Sequence, residues 1–126
     1  MSAVILVVDD NEDIVDIARK TLLARGFEVR VAYNGPSALA SVAQRRPDLI
    51  LLDIMMPQMS GMEVLDRLRA NPATASVPVI LVTAKDQDED LLAGYKYGAD
   101  YYITKPFSAK QLLYGIGLVL GTERPE

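Results

Sequence analysis

The chain contains no cysteine, no histidine and no tryptophan. Without cysteine it has no disulfides, no thiolate zinc site and no thiol nucleophile. Without histidine it has no Ser-His-Asp triad, no imidazole base and no histidine ligand for a transition metal. Any chemistry of this chain must therefore depend on carboxylates, lysines, hydroxyls and backbone groups.

Long apolar runs and an excess of positive charge are also missing. No apolar stretch approaches the ~20 residues of a membrane span, and the first residues lack the basic region of a signal peptide, so we expect a cytoplasmic protein. The chain has 13 basic and 17 acidic residues and a net charge of -4, which argues against nucleic-acid binding by this domain. The adjacent pair Arg45-Arg46 is expected to be a solvated helix end.

A length of 126 residues suits one domain, which we expect to span residues 1–121, with 122–126 as a tail or the start of a linker. Short apolar runs alternate with segments of helical spacing. The short runs are Val4 to Val8, Val29 to Ala32, Leu49 to Leu52, Val77 to Val82 and Tyr101 to Thr104. Runs such as Leu49 to Leu52 lack polar alternation, which is typical of parallel strands covered on both faces. Five strands alternating with five helices predict an α/β fold with a doubly wound parallel sheet.

Helix ends and buried faces can also be predicted. Ser60 and Ser108 stand where N-caps belong, Pro36 suits the first turn of a helix from about Gly35 to Arg46, and Gly26 suits a helix C-terminus. Two apolar stripes at helical spacing predict core faces: Ile14, Ile17, Ala18, Thr21 and Leu22 on the first helix, and Met62, Leu65 and Leu68 on the third.

Polar residues follow four of the five predicted strands, at the sheet edge where open α/β sheets bind ligands. Asp9 and Asp10 follow the first strand, Asp53 the third, Thr83 the fourth and Lys105 the fifth. The second strand ends without a charge. Three carboxylates, one hydroxyl and one ammonium group are thus predicted to converge on one edge.

Each of these residues has a plainer explanation when taken singly. Asp10 could cap the first helix, with Asp13 completing a partial capping box. Thr83 could begin a turn, and Lys105 could be a surface lysine. Asp53 is harder to explain, because it ends an apolar strand with no polar neighbour, and an unpaired buried carboxylate is costly. A functional site is the economical interpretation.

The predicted carboxylates require a cation. Two ionised carboxylates ~5 Å apart repel each other by roughly 3 kcal/mol at an effective dielectric constant of 20. One lysine supplies one positive charge, and a site with oxygen ligands alone suits a hard divalent ion such as Mg²⁺, with Mn²⁺ as a substitute. Because Mg²⁺ shares its shell with phosphate oxygens, the site points to phosphoryl chemistry.

The combined motifs identify the chain, from about Ala3 to Leu120, as similar to the receiver domain of two-component response regulators. The motifs are Asp9-Asp10, the run from Asp53 to Pro57 with Gly61 following, Thr83-Ala84, and Tyr102 with Lys105-Pro106-Phe107. The resemblance implies a flavodoxin-like (βα)5 fold with strand order 2-1-3-4-5.

The resemblance also implies a role for each site residue. Asp53 would be the phosphoacceptor, taking a phosphoryl group from a phosphohistidine on a sensor histidine kinase or a histidine phosphotransfer protein. Asp9, Asp10, Asp53 and the backbone carbonyl of Met55 would hold Mg²⁺. Lys105 would neutralise charge on the transferring group. The chain would catalyse its own phosphorylation and dephosphorylation without being a turnover enzyme.

A conformational switch follows from the same resemblance. The Thr83 hydroxyl would donate to the new phosphoryl group, Tyr102 would rotate into the vacated space, and the small Ala84 would permit that movement. The peptide bond between Lys105 and Pro106 is expected to be cis.

The surface offers one further prediction about partners. On the last helix, Tyr114 and Leu118 lie opposite the core face, as scattered surface residues or as a contact patch for a partner or for a homodimer formed on phosphorylation.

Met55 and Lys85 would flank the path of a water that attacks the phosphoryl group, so we expect a phosphoryl lifetime above seconds.

Two other classes of function compete with a phosphoaccepting switch. A receiver-like binding module without phosphorylation would not need the complete set of site residues. A phosphohydrolase of the haloacid dehalogenase type would need a second acid two residues after the nucleophile, where Asp53-Ile54-Met55 has methionine.

Overall fold

The computed structural model describes residues 2–84 and 98–121. Its core is a five-stranded sheet in the order β2-β1-β3-β4-β5, with every neighbouring pair parallel. The strands are β1 (Val4–Val8), β2 (Glu28–Ala32), β3 (Leu49–Asp53), β4 (Val79–Ala84) and β5 (Tyr101–Lys105). The predicted doubly wound α/β fold and its strand order are confirmed.

Four helices connect or follow these strands within the described residues. They are α1 (Glu12–Ala24), α2 (Gly35–Gln44), α3 (Gly61–Ala70) and α4 (Ala109–Leu120). The fifth predicted helix, between β4 and β5, falls in residues 85–97, outside the described residues. Among the helices that the structure describes, none is long and apolar enough to cross a bilayer.

The helix ends depend on local side-chain hydrogen bonds. Ser60 and Ser108 are N-caps, as predicted, and each also forms a complete capping box, with Glu63 and Gln111 three residues later. On the first helix the alternative of capping by Asp10 is excluded, because Asn11 is the N-cap: its side chain accepts from the backbone amides of residues 13 and 14. The Asp10 carboxylate is therefore not engaged in capping.

The other predicted helix boundaries are close to those observed. Pro36 lies in the first turn of α2, but the helix ends at Gln44, before the predicted Arg46. Gly26 follows the C-cap of α1 with a φ of 87°, a left-handed conformation that glycine adopts without strain.

Two hydrophobic cores lie on opposite faces of the sheet. One packs α2 and α3 against it, and the other packs α1 and α4. The stripe on α3 is confirmed, with Leu65 and Leu68 buried and Met62 half-buried. On α1 the prediction for Ile17 is wrong: its side chain is 54% exposed, and Val15, Ala18 and Leu22 form the buried face. The stripe is therefore rotated by part of a turn from the predicted one.

Candidate metal centre

Two buried carboxylates lie side by side at the carboxyl edge of the central strands. Asp53 is the last residue of β3, and Asp9 directly follows β1. The two strands are neighbours, with Val8 paired to Leu52, so the next residue of each strand reaches the same place. Asp9 is 2% exposed and Asp53 is 3% exposed. Their burial follows from the sheet, whose two faces are both covered by helices.

Asp10 completes a cluster of three carboxylates. One oxygen from each of Asp9, Asp10 and Asp53 lies within 4.8 Å of the others. Asp10 is exposed, so the cluster is open to solvent on one side. The set consists of hard oxygen donors, which fit Mg²⁺ or Mn²⁺ and not a soft transition metal. An open side also fits an ion that keeps water or substrate oxygens in its shell.

Lys105 reaches the same cluster from the end of β5. Its Nζ lies 2.9 Å from Oδ2 of Asp9 and 3.3 Å from Oδ1 of Asp53. Since β4 lies between β3 and β5, the lysine side chain spans the end of β4 to make these contacts. The Lys105–Pro106 peptide bond that follows is cis. One ammonium group is thus shared by two buried carboxylates.

The charges of the cluster shift two pKa values. Burial, and then the charge of Asp9, raise the pKa of Asp53 to about 6, although Lys105 opposes this shift. Burial by itself would lower the pKa of Lys105, but the two carboxylates outweigh burial and raise it. The metal-free site therefore makes Asp53 easier to protonate than an ordinary aspartate, while the lysine stays charged. A divalent cation would favour the ionised carboxylates.

The hydroxyl predicted for this edge lies at the end of the intervening strand. Thr83 is 1% exposed on β4 and pairs in register with Thr104 of β5. Its Oγ1 donates to the carbonyl oxygen of Ala84 at 3.3 Å. Ala84 ends the strand and is half-buried. The hydroxyl thus belongs to the strand that lies between the Asp53 carboxylate and the backbone of Lys105.

Tyr102 lies further from the end of β5, two residues before Thr104, and is half-buried against the core formed by α2 and α3. Its ring stacks beside that of Tyr101, with centroids 6.2 Å apart.

Tyr114 and Leu118 are 50% and 45% exposed on the outer face of α4, away from the carboxylates. Met55, two residues after Asp53, is 58% exposed, while Lys85 lies outside the described residues.

Two backbone features of the site went beyond what sequence reasoning identified. The backbone amide of Asn11 donates to Oδ1 of Asp9 at 2.9 Å, which holds that carboxylate beside the helix start. Gly61 lies so close to β3 that a Cβ atom there would be 2.1 Å from the carbonyl oxygen of Asp53. Its amide donates to the carbonyl of Ile54 at 2.8 Å. A glycine directly after the N-cap Ser60 was the available signal for this close approach.

The chain is similar in sequence to known proteins over most of its length. Residues 5–116 match the family model of the response regulator receiver domain. The sensory transduction protein RegX3 of Mycolicibacterium smegmatis is 46% identical over 116 residues, which cover 92% of this chain and 50% of that protein. The phosphate regulon transcriptional regulatory protein PhoB of Pseudomonas aeruginosa is 40% identical over 121 residues, covering 96% and 53%. The chain thus spans about half the length of these curated relatives.

Solved structures show the same fold. A response regulator from Chloroflexus aurantiacus superposes with a TM-score of 0.93 at 30% identity, covering 96% of this chain and 99% of the other. The chemotaxis protein CheY4 of Vibrio cholerae gives a TM-score of 0.89 at 32% identity, covering 94% and 99%.

Proposed function

Because this chain belongs to the response regulator receiver domain family, we propose that it is a phosphoaccepting switch in which Asp53 takes a phosphoryl group from a partner's phosphohistidine. The observation that carries the proposal is the meeting of three carboxylates and one lysine at one sheet edge, with the buried Asp53 among them. The proposed donor is a phosphohistidine of a sensor histidine kinase or a histidine phosphotransfer protein, since these 126 residues contain no histidine.

The transfer exchanges one phosphorus bond for another. A carboxylate oxygen of Asp53 attacks the phosphorus, the bond from phosphorus to the imidazole nitrogen breaks, and that nitrogen leaves with the bonding electron pair. The product is an acyl phosphate on Asp53 and a histidine on the donor. Ionised Asp53 is the nucleophile, so a cation that lowers its raised pKa also increases the reactive fraction.

The residues present fit a divalent cation. The carboxylates of Asp9, Asp10 and Asp53 and the backbone carbonyl of Met55 would hold Mg²⁺, or Mn²⁺ in its place. When bound, the ion supplies positive charge to the phosphoryl oxygens. Lys105 contributes the second positive charge. Its ammonium group already lies 3.3 Å from the Asp53 carboxylate, so it can pair with the phosphoryl group once that group is attached.

Phosphorylation would then change the face formed by β4 and β5. New acceptor oxygens at Asp53 attract the Thr83 hydroxyl, which now donates to the adjacent carbonyl of Ala84. Movement of Thr83 leaves room for the half-buried ring of Tyr102, and the small side chain of Ala84 permits the rearrangement. The modification needs only to favour one of two pre-existing states.

The output of the switch is a changed contact with another protein. Tyr114 and Leu118 offer an exposed apolar patch on α4 for a partner or a second copy after phosphorylation. We place this activity in the cytoplasm, and we assign no nucleic-acid contact to this domain because its net charge is -4.

Intact mass spectrometry tests the proposal. The protein is incubated with acetyl phosphate, with Mg²⁺ or with a chelator, and the expected product is a single phosphoryl adduct that requires Mg²⁺. The adduct should be lost in Asp53→Asn and kept in the matched control Asp66→Asn, which changes an exposed aspartate on α3. Absence of any adduct would instead favour a binding module without phosphorylation, and sustained turnover of phosphate esters would favour a phosphohydrolase.

A further inference from the structure

An open groove lies between the last turns of α2 and α3, apart from the carboxylate cluster. Its volume is about 670 Å³, within the usual range for ligand-binding clefts. Three alanines leave the space open and larger aliphatic side chains form its floor: Ala43, Ala70, Ala73, Leu39 and Val42. The groove is thus an apolar surface that has no cover among the described residues.

Two arginines without acidic partners line this groove. Arg46 donates to the hydroxyl of Ser76 at 2.8 Å, and Arg67 is exposed. Neither forms an ion pair with any residue that the structure describes. None of the described lining residues is acidic. In a chain of net charge -4, this groove is therefore locally positive.

The neighbouring arginines differ from these two, because each already has a partner. Arg45 pairs with Glu28 at 3.1 Å, and Arg69 pairs with Asp100 at 3.2 Å. Arg30 donates to the carbonyl oxygens of Ser41 and Arg45. These three arginines stabilise the fold. Arg46 and Arg67 keep most of their donors for another molecule.

The groove lies far from the phosphoacceptor. Both helices begin at the carboxyl edge of the sheet, where Asn34 and Ser60 cap them, and run away from it. Each has 10 residues, about 15 Å of helix, so the last turns lie near the opposite edge. A molecule in the groove would leave access to Asp53 free.

We propose that this groove binds an acidic amphipathic peptide segment of a partner protein. Aliphatic side chains of the segment would fill the space above the alanines, and its carboxylates would accept paired hydrogen bonds from Arg46 and Arg67. Binding to a nucleic-acid backbone needs more than two cationic side chains, and the phosphates make no favourable contact with the aliphatic side chains of the groove. A two-fold dimer through this groove would bring Arg46 and Arg67 of both copies together, which their like charges disfavour, and a head-to-tail contact does not close into a dimer.

Nuclear magnetic resonance titration of the whole chain tests the proposal. The probe is a stapled helical peptide of about 14 residues with leucine on one face and glutamate on the other, and its control carries lysine in place of glutamate. The glutamate peptide should shift amide signals along the last turns of α2 and α3. The double variant Arg46→Glu/Arg67→Glu should weaken binding about tenfold or more, which corresponds to ~1.4 kcal/mol.

Matched variants distinguish peptide binding in the groove from non-specific electrostatic attraction to the whole protein. The double variant Arg19→Glu/Arg25→Glu makes the same change in net charge on α1 and at its C-cap, and it should leave peptide affinity unchanged. Ala43→Phe fills the groove without changing charge and should also weaken binding. Phosphorylation of Asp53 by acetyl phosphate should proceed equally in all of these variants, so failure of this proposal is distinguishable from failure of the phosphoacceptor assignment.

Several outcomes would overturn the proposal. They are no shifts with the glutamate peptide, equal binding of the lysine peptide, or equal loss in both double variants. Concentration-dependent self-association that requires Arg67 would assign the groove to a second copy. Binding to vesicles of anionic lipid that requires both arginines, without peptide binding, would assign it to a membrane surface.

Discussion

Replacing Asp53 by asparagine is expected to make the metal-free protein more stable near neutral pH. The pKa of Asp53 is raised from 3.8 to about 6, chiefly by burial. A carboxyl group whose pKa is higher in the folded state than in the unfolded state stabilises the fold at low pH. This stabilisation is fully present below the pKa of the unfolded state, and it is lost as the pH rises through the pKa of the folded state. At ~1.36 kcal/mol per pK unit, the difference of about 2 units corresponds to about 3 kcal/mol.

Urea unfolding in the presence of a chelator measures this difference. The free energy of unfolding of Asp53→Asn minus that of the wild type should be smallest at the acidic end, near pH 3.8, and should grow until about pH 6. Above that it should stay near 3 kcal/mol. Asp66→Asn is the control, because Asp66 is exposed, and it should show no such pH dependence. Adding Mg²⁺ should stabilise the wild type more than Asp53→Asn, since the variant lacks one of the proposed carboxylate ligands.

A pH-independent difference, or a variant less stable than the wild type at every pH, would refute the reasoning. The first result would mean that Asp53 ionises with an ordinary pKa, so its burial and the charge of Asp9 would not dominate its environment. The second would mean that the ion pair with Lys105 outweighs desolvation.

Three further substitutions or measurements test other parts of the account. Gly61→Ala places a Cβ 2.1 Å from the Asp53 carbonyl oxygen and should destabilise the fold by about 1–3 kcal/mol in urea unfolding; an unchanged midpoint would contradict this. Arg69→Met removes hydrogen bonds to the carbonyls of Gly98 and Val77 and should cost about 2 kcal/mol, whereas a neutral result would make these bonds unimportant. The exposed Met55 should hinder water, so a phosphoryl half-life of only a few seconds would contradict its role.

The fold was predictable because its signal is local. Continuous apolar runs such as Leu49 to Leu52 and capping serines such as Ser60 specify element type by burial and hydrogen bonding within a few residues. Where two local solutions compete, the sequence leaves the choice open. Asn11 and Asp10 are both good N-caps, and the structure uses the asparagine. On α1, Val15 and Ile17 offer alternative apolar faces two residues apart, and sequence alone does not determine the rotation of the helix.

The candidate site was predictable to the level of residue positions. Strand ends in a parallel sheet meet at one edge, so Asp9, Asp53 and Lys105 could be brought together without coordinates. The sequence could not specify that Lys105 contacts both carboxylates, or that burial dominates the pKa of Asp53. The approach of Gly61 to β3 and the groove beside Arg46 also depend on distances between separate elements.

Chemical trapping of the phosphorylated residue tests the central claim most directly. The protein is incubated with acetyl phosphate and Mg²⁺, reduced with borohydride, and digested for peptide sequencing by mass spectrometry. An acyl phosphate is reduced to an alcohol, so the account predicts homoserine in place of Asp53 and unchanged Asp9 and Asp10. Homoserine at either of those neighbours, or none in a protein that carries the adduct, would contradict the assignment of Asp53 as the phosphoacceptor.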